Sequence, residues 1–315
     1  MSKIAFIYPG QGAQKAGMGA DFYENSEIAR YIFDQAGEEL DLDMKELCFE
    51  ENDRLDLTEY TQAAMVTTCL AMTRVAESKG LKADITAGLS LGEYPAIAAA
   101  GGMNDMDAIR LVRKRGILMQ NTVPAGEGAM CAVISMAAEE IEKVIEPIAD
   151  VPVANYNCPG QIVITGKTDA VEEAAAKLKE AGARRTIMLN VSGPFHSQML
   201  VPAGEKLAEE LEHTRFHELR IPYVTNVTAE QVTDIRETPG LLTTQISSPV
   251  RWMQSMERMI ADGVDTFVEI GPGKTLEGFL RKIDRSVKVF HISQWEDVDK
   301  VCTELADSGK MMEEA

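Results

Sequence analysis

Along the chain, short apolar runs bounded by glycine, proline or polar turns alternate with longer stretches whose apolar residues recur at helical spacing. Lys3 to Tyr8 reads as a buried strand leading into the glycine-rich loop Pro9 to Gln14. Residues 20–50 read as helical and acidic. Thr58 to Lys79 reads as a long helix with Thr58 as its N-cap and Gly80 past its end. A β-compatible run from Ala83 gives way, at Gly88-Leu89-Ser90-Leu91-Gly92, to an alanine-rich helical stretch ending at Gly101, and a further helix is predicted from Asp105 to Asn121.

Residues 128–191 alternate differently. Ala129–Ser135 (strand), Ala138–Ile148 (helix), Val151–Asn155 and Gln161–Thr165 (strands), Asp169–Ala181 (helix) and Arg185–Val191 (strand) follow a β-α-β-β-α-β order, the ferredoxin-like motif. After the loop Val191–Ser197, a helix from Met199 to His213 and a strand from Ile221 to Val227 are expected. A short helix ending near Gln245 and an amphipathic helix from Val250 to Ala261 follow. A strand Thr266–Ile270, a helix to Ile283, a strand Val287–Ile292 and a last helix complete the pattern, with Lys310–Ala315 expected to fray. The expected fold class is therefore α/β. A large, discontinuous α/β-hydrolase-like domain with a mainly parallel sheet (1–126 and 194–315) carries an inserted ferredoxin-like small domain (127–193), which serves as a wall or lid.

Composition narrows the function. A formal net charge of −19 over 315 residues argues against nucleic-acid binding, and an acidic partner would need a local basic patch. No uncharged run is long enough for a membrane span, and no signal peptide is evident. Five cysteines without C-x-x-C spacing favour a reduced, cytoplasmic setting over a disulfide framework.

The sharpest chemistry lies in Gly88–Gly92, which fits G-x-S-x-G in the strand–turn–helix context of a nucleophile elbow. The turn is tight, so the residues two either side of Ser90 must be small. Of the four histidines, His213 and His217 stand four apart but lack the glutamate of a metalloprotease motif, and His291 sits in an apparent strand. His196 alone lies in a loop among helix-breaking residues, as a candidate base. In the 105–121 helix, steps of ~100° place Arg115 inside the apolar stripe of Leu111, Val112, Leu118 and Met119, with Arg110, Arg113 and Lys114 outside it. A guanidinium aimed inward needs an anion, either a structural carboxylate or a ligand. Two nucleotide-site readings fail on spacing: the Pro9–Gln14 loop has Lys15 where a dinucleotide fingerprint needs glycine, and Gly273-Lys274-Thr275 has Val268 where a P-loop needs one.

Seven segments, in order, resemble malonyl-CoA:acyl carrier protein transacylases over almost the whole chain: Tyr8–Gln14, Gly88–Glu93, Arg115–Gln120, Asn155–Gln161, Val191–Ser197, Gln245–Val250 and Glu269–Lys274. The resemblance implies transfer of a malonyl group from malonyl-CoA to the phosphopantetheine thiol of acyl carrier protein, through an ester on Ser90. His196 would be the general base, oriented by the Gln245 backbone carbonyl. The N–H groups of Gln11 and Leu91 would form the oxyanion hole, Arg115 would hold the malonyl carboxylate, and Asn155, Asn157 and Gln62 would line the pocket. The resemblance implies no cofactor and no metal, and a monomer is expected. One departure stands out: Leu89 occupies the position before the nucleophile where the family usually has histidine. Phe195, before His196, resembles malonyl-selective members. A basic cluster of Lys274, Arg281, Lys282 and Arg285 is a candidate docking surface for the acidic carrier. The rival readings are an acyltransferase serving a polyketide synthase in trans, a serine esterase or thioesterase, and a non-enzymatic binding module in which Ser90 is incidental.

Overall fold

The computed structural model describes residues 2–191 and 193–307; the terminal stretch expected to fray lies outside them. Among the described residues ten strands run in chain order: β1 (Lys3–Tyr8), β2 (Ile85–Gly88), β3 (Gly128–Ile134), β4 (Val153–Cys158), β5 (Gln161–Lys167), β6 (Arg185–Met188), β7 (Tyr223–Val224), β8 (Gln231–Val232), β9 (Val264–Ile270) and β10 (Lys288–Ile292). They form two sheets. The first has the order β10-β9-β1-β2-β7-β8 and is parallel throughout, except that β8 returns antiparallel to β7. The second, β4-β5-β3-β6, is antiparallel.

The continuous apolar run of β1 is explained by helices on both faces of the first sheet. Ile4, Phe6 and Tyr8 point into one core, packed with the Glu27–Leu40, Thr58–Ser78 and Asp105–Thr122 helices. Ala5 and Ile7 point into the other, with Trp252, Met256, Leu276 and Leu280. The Thr58–Ser78 helix is buried over most of its length, which suits its run of alanine, threonine, methionine and valine. On the second sheet, one face buries Cys131, Val133, Ile162 and Ile164 against the Ala138–Ile145 and Thr168–Glu180 helices. Met130, Ala132 and Val163, on its opposite face, join the main core and line a cavity between the two sheets.

Several sequence expectations move at their ends. The acidic stretch 20–50 is three helices, Ala20–Asn25, Glu27–Leu40 and Met44–Phe49. Leu57, not Thr58, is the N-cap of the long helix. The strand expected over 221–227 is the two residues of β7, because the chain turns over Asn226–Thr228 to form the hairpin with β8, which the pattern does not announce. The helix expected from Val250 starts at Trp252. Val250 is instead extended and pairs with β4: its N–H donates to the Ala154 carbonyl at 2.8 Å, and it accepts from Tyr156 N–H at 2.9 Å. That pairing ties the antiparallel sheet to the loop after Gln245.

Register sets where the chemistry sits. Tyr8 pairs with Gly88, and Ala87 with Val224. The loop after β1, the turn after β2 and the Asn226–Thr228 turn after β7 therefore meet at the carboxyl edge of the parallel strands, where ligands bind in open α/β sheets.

Candidate active site

Ser90 stands at the turn between β2 and the Glu93–Ala99 helix, with a left-handed φ of 55°. A non-glycine residue there costs roughly 1–3 kcal/mol and persists only where its surroundings impose it. Two glycines allow the turn. A Cβ on Gly88 would sit 1.8 Å from the Gly92 carbonyl oxygen, and one on Gly92 would sit 2.4 Å from that of Tyr8. Asn226 holds the turn from the side: its Oδ1 accepts from Ser90 N–H at 2.6 Å, and its Nδ2 donates to the Gly88 carbonyl at 2.7 Å. The Ser90 N–H is thus engaged, which leaves the next amide, that of Leu91, in the first turn of the following helical segment, where backbone donors lack intrahelical acceptors.

His196 also has a positive φ, 61°. Its Nε2 lies 2.8 Å from Ser90 Oγ. Its Nδ1 lies 3.0 Å from the Gln245 carbonyl and 3.1 Å from that of Ser248. Two carbonyls can only accept, so Nδ1 carries the proton and Nε2 presents its lone pair to the serine hydroxyl. Burial, and next the nearby Arg115 charge, lower the imidazole pKa to about 4 against the partial support of the two carbonyls, so the ring is neutral at pH 7.

Arg115 is fully buried, and its stripe position in the Asp105–Thr122 helix aims it at the serine. Nη2 donates to Ser90 Oγ at 3.1 Å and to Gln245 Oε1 at 3.0 Å, while Nη1 donates to Gln62 Oε1 at 2.8 Å. The guanidinium carbon lies 5.6 Å from the centre of the Tyr94 ring. Among the described residues it makes no salt bridge, and its Nε has no hydrogen bond. The three neighbouring cations have carboxylate partners away from the serine: the exposed Arg110 pairs with Asp107 and Glu39, the half-buried Arg113 with Glu59, and the exposed Lys114 with Glu210. A buried cation facing neutral oxygens is the arrangement an incoming carboxylate would complete.

A cavity of about 480 Å³ opens beside the serine, and Gln11, Gln62, Ser90, Leu91, Asn155, Asn157 and His196 all line it. Arg115 and Gln245 lie behind it and reach Ser90 through hydrogen bonds. The buried Asn157 Oδ1 has no hydrogen bond among the described residues. Gln11 is steadied by its side-chain bond to the Thr58 hydroxyl, 3.1 Å. Leu89 packs against the loop after β1, where a Cβ on Gly10 would lie 2.7 Å from Leu89 Cδ2. An apolar contact thus occupies the position before the nucleophile. The remaining histidines are elsewhere: His213 is exposed, His217 half-buried, and His291 lies 3.3 Å from Glu277. At Gly271–Thr275 the amides of Leu276 and Glu277 are taken by the Glu269 carboxylate at 3.1 and 2.8 Å, which is incompatible with a phosphate cradle there.

Three contributors were not singled out by the sequence reading. Asn226 comes from a turn that carries no motif signal of its own, and Ser248, although inside the Gln245–Val250 segment, contributes only a main-chain carbonyl that no side-chain pattern marks. Glu93 was visible within the Gly88–Glu93 segment but reads as an ordinary first-turn acid; here it is fully buried.

The chain belongs to the acyl transferase domain family, whose model matches residues 5–298. Within that family it is similar to the malonyl CoA-acyl carrier protein transacylase of Bacillus subtilis (strain 168), with 44% identity over 304 residues, covering 95% of this chain and 96% of that protein. The crystal structure of the malonyl CoA-acyl carrier protein transacylase from Clostridium perfringens superposes with a TM-score of 0.94 at 42% identity, covering 98% of both chains. A malonyl-transacylase solved with a holo acyl-carrier protein of a type II polyketide synthase superposes with a TM-score of 0.93 at 35% identity, covering 96% of this chain and all of that one.

Proposed function

We propose that this chain transfers malonyl from malonyl-CoA to the phosphopantetheine thiol of acyl carrier protein by way of a malonyl ester on Ser90. The observation that carries the reading is the Arg115 guanidinium, buried, with no salt bridge among the described residues, and 3.1 Å from Ser90 Oγ. The similarity to malonyl CoA-acyl carrier protein transacylases supports the same substrates.

In the first half-reaction Ser90 Oγ attacks the thioester carbonyl while His196 Nε2 takes its proton. Negative charge builds on the carbonyl oxygen and is received by the Gln11 and Leu91 N–H groups, one such donor typically being worth ~10²–10³ in rate. The C–S bond then breaks, and His196 returns the proton to the departing CoA sulfur. In the second half-reaction the carrier thiol gives its proton to His196 and attacks the ester, and Ser90 leaves with that proton. The base has a carbonyl-held imidazole rather than a buried carboxylate behind it, and the electrophilicity of a thioester compensates for the weaker base. Arg115 selects the acyl group by its carboxylate, with Gln62 yielding its bond, while Asn155 and Asn157 line the thioester channel. The chemistry uses no cofactor, with malonyl-CoA entering as substrate.

In this reading the parallel sheet belongs to an α/β-hydrolase-like domain (1–126 and 194–315), and the antiparallel sheet to an inserted ferredoxin-like domain (127–193). The β4-β5-β3-β6 order supports the latter assignment. Five free thiols fit a cytoplasmic setting. The exposed Lys274, Lys282 and Arg285, with Arg281 paired to Glu277, lie on or beside the Thr275–Ile283 helix, whose Thr275, Leu276 and Phe279 line the cavity; they are the proposed docking surface for the acidic carrier. The test is a chase. Enzyme loaded from malonyl-CoA should deliver malonyl to added holo-carrier faster than to water, and Lys282→Glu with Arg285→Glu should slow delivery without slowing loading. Release to water alone would favour the esterase reading, and equal slowing of both steps would remove the docking assignment.

A further inference from the structure

Glu93, the residue after the elbow glycine, is fully buried, and no step above uses it. Its Oε2 accepts from Gln245 Nε2 at 2.7 Å and from Asn226 N–H at 3.1 Å. Each of those residues also grips the nucleophile. Gln245 Nε2 donates to the Ser90 carbonyl at 3.0 Å, and the Asn226 side chain bridges Ser90 N–H and the Gly88 carbonyl. One carboxylate oxygen therefore anchors both clamps on the left-handed turn. It also sets the sense of the Gln245 amide. With the nitrogen committed to Glu93 and the Ser90 carbonyl, the oxygen must face Arg115, where it accepts from Nη2 at 3.0 Å. A flipped amide would present its N–H₂ to the guanidinium, donor against donor.

We propose that Glu93 is a positioning residue for the transfer reaction, holding the Ser90 turn through Asn226 and fixing the Gln245 amide so that its oxygen orients Arg115. The proposal rests on the malonyl-transfer reading above. It requires an acceptor at Oε2, not a negative charge. Burial raises the carboxyl to about 7, against hydrogen bonds, first from Gln245 and Asn226, and the nearby Arg115 charge, all of which favour the ionised form. Both clamps bond Oε2, so a proton placed on Oε1 leaves Oε2 free to accept in either state. Glutamine reproduces the protonated form, with its carbonyl oxygen at Oε2.

The experiment measures single-turnover loading of full-length chain from malonyl-CoA by intact mass, per folded molecule counted from the thermal-unfolding amplitude. Glu93→Ala is expected to slow loading by about 100-fold, the scale of a small misplacement of reacting groups, and Glu93→Gln to stay within about tenfold of the parent. Glu93→Met, which fills the same volume without an acceptor, replaces the alanine variant if that does not fold, and should behave like it. Loading by the alanine or methionine variant within about threefold of the parent overturns the proposal, as does glutamine as slow as alanine. A parent chain that forms no malonyl adduct at all overturns the transfer reading instead, so the two failures are separable.

Discussion

Arg115→Ala is expected to lower malonyl loading by about 100-fold or more while acetyl loading from acetyl-CoA is kept or rises. The two arms follow from the same geometry. A hydrogen bond to a charged group contributes about 1.5–3 kcal/mol, and a carboxylate brought into this buried site without a cation forfeits more, because it is left unpaired. Acetyl has no carboxylate and loses no such pairing. Removing the guanidinium also removes the hydrogen bond it donates to Ser90 Oγ at 3.1 Å and the cation that depresses the His196 pKa. Both changes bear on acetyl and malonyl alike, so the ratio of the two loading rates, measured by intact mass, isolates recognition of the carboxylate. An unchanged ratio would remove Arg115 from selection.

His196→Ala is expected to cut loading by about 10²–10⁴-fold, the usual contribution of a positioned general base. Glutamine at the same place should not restore it, since an amide cannot take the proton. The same histidine sets the acid limb of the pH profile. Its pKa in the free enzyme is lowered to about 4, chiefly by burial and then by Arg115. The neutral, competent base is therefore present above that value and is lost as pH falls through it. The kcat/KM for malonyl-CoA, which reports the free enzyme, should hold across pH 6.5, where an exposed histidine would already be failing. An inflection near 6.5 in the parent that moves upward in Arg115→Ala, and so belongs to His196, would contradict the burial argument.

How much of this was legible in the chain depends on the kind of constraint. The elbow was legible because a sharp turn needs small residues at fixed offsets, and Gly88 and Gly92 would each drive a Cβ into backbone. Arg115 was legible because helical spacing placed one cation of four inside an apolar stripe, and the other three indeed pair with carboxylates outside it. Whether its partner was a carboxylate or a ligand stayed open from the pattern alone, since Gln62 and Gln245 lie 53 and 130 residues away. Asn226 was not legible: its partner Ser90 is 136 residues distant, and β7 before it is too short to show a strand period. Val250 misled for a similar reason. Its apolar side chain fits the next helix, but its backbone is claimed by β4 across the chain. Local sequence marks turns and stripes, whereas long-range hydrogen bonds to main chain leave no periodic trace.

Every role above depends on Ser90 carrying the malonyl group between two thiols, which intact-mass spectrometry of the chain mixed with malonyl-CoA reads out. A single malonyl adduct is expected, located on the peptide containing Ser90, absent from Ser90→Ala and discharged by holo acyl carrier protein. An adduct that survives in Ser90→Ala, or none on the unaltered chain, would contradict that role for Ser90.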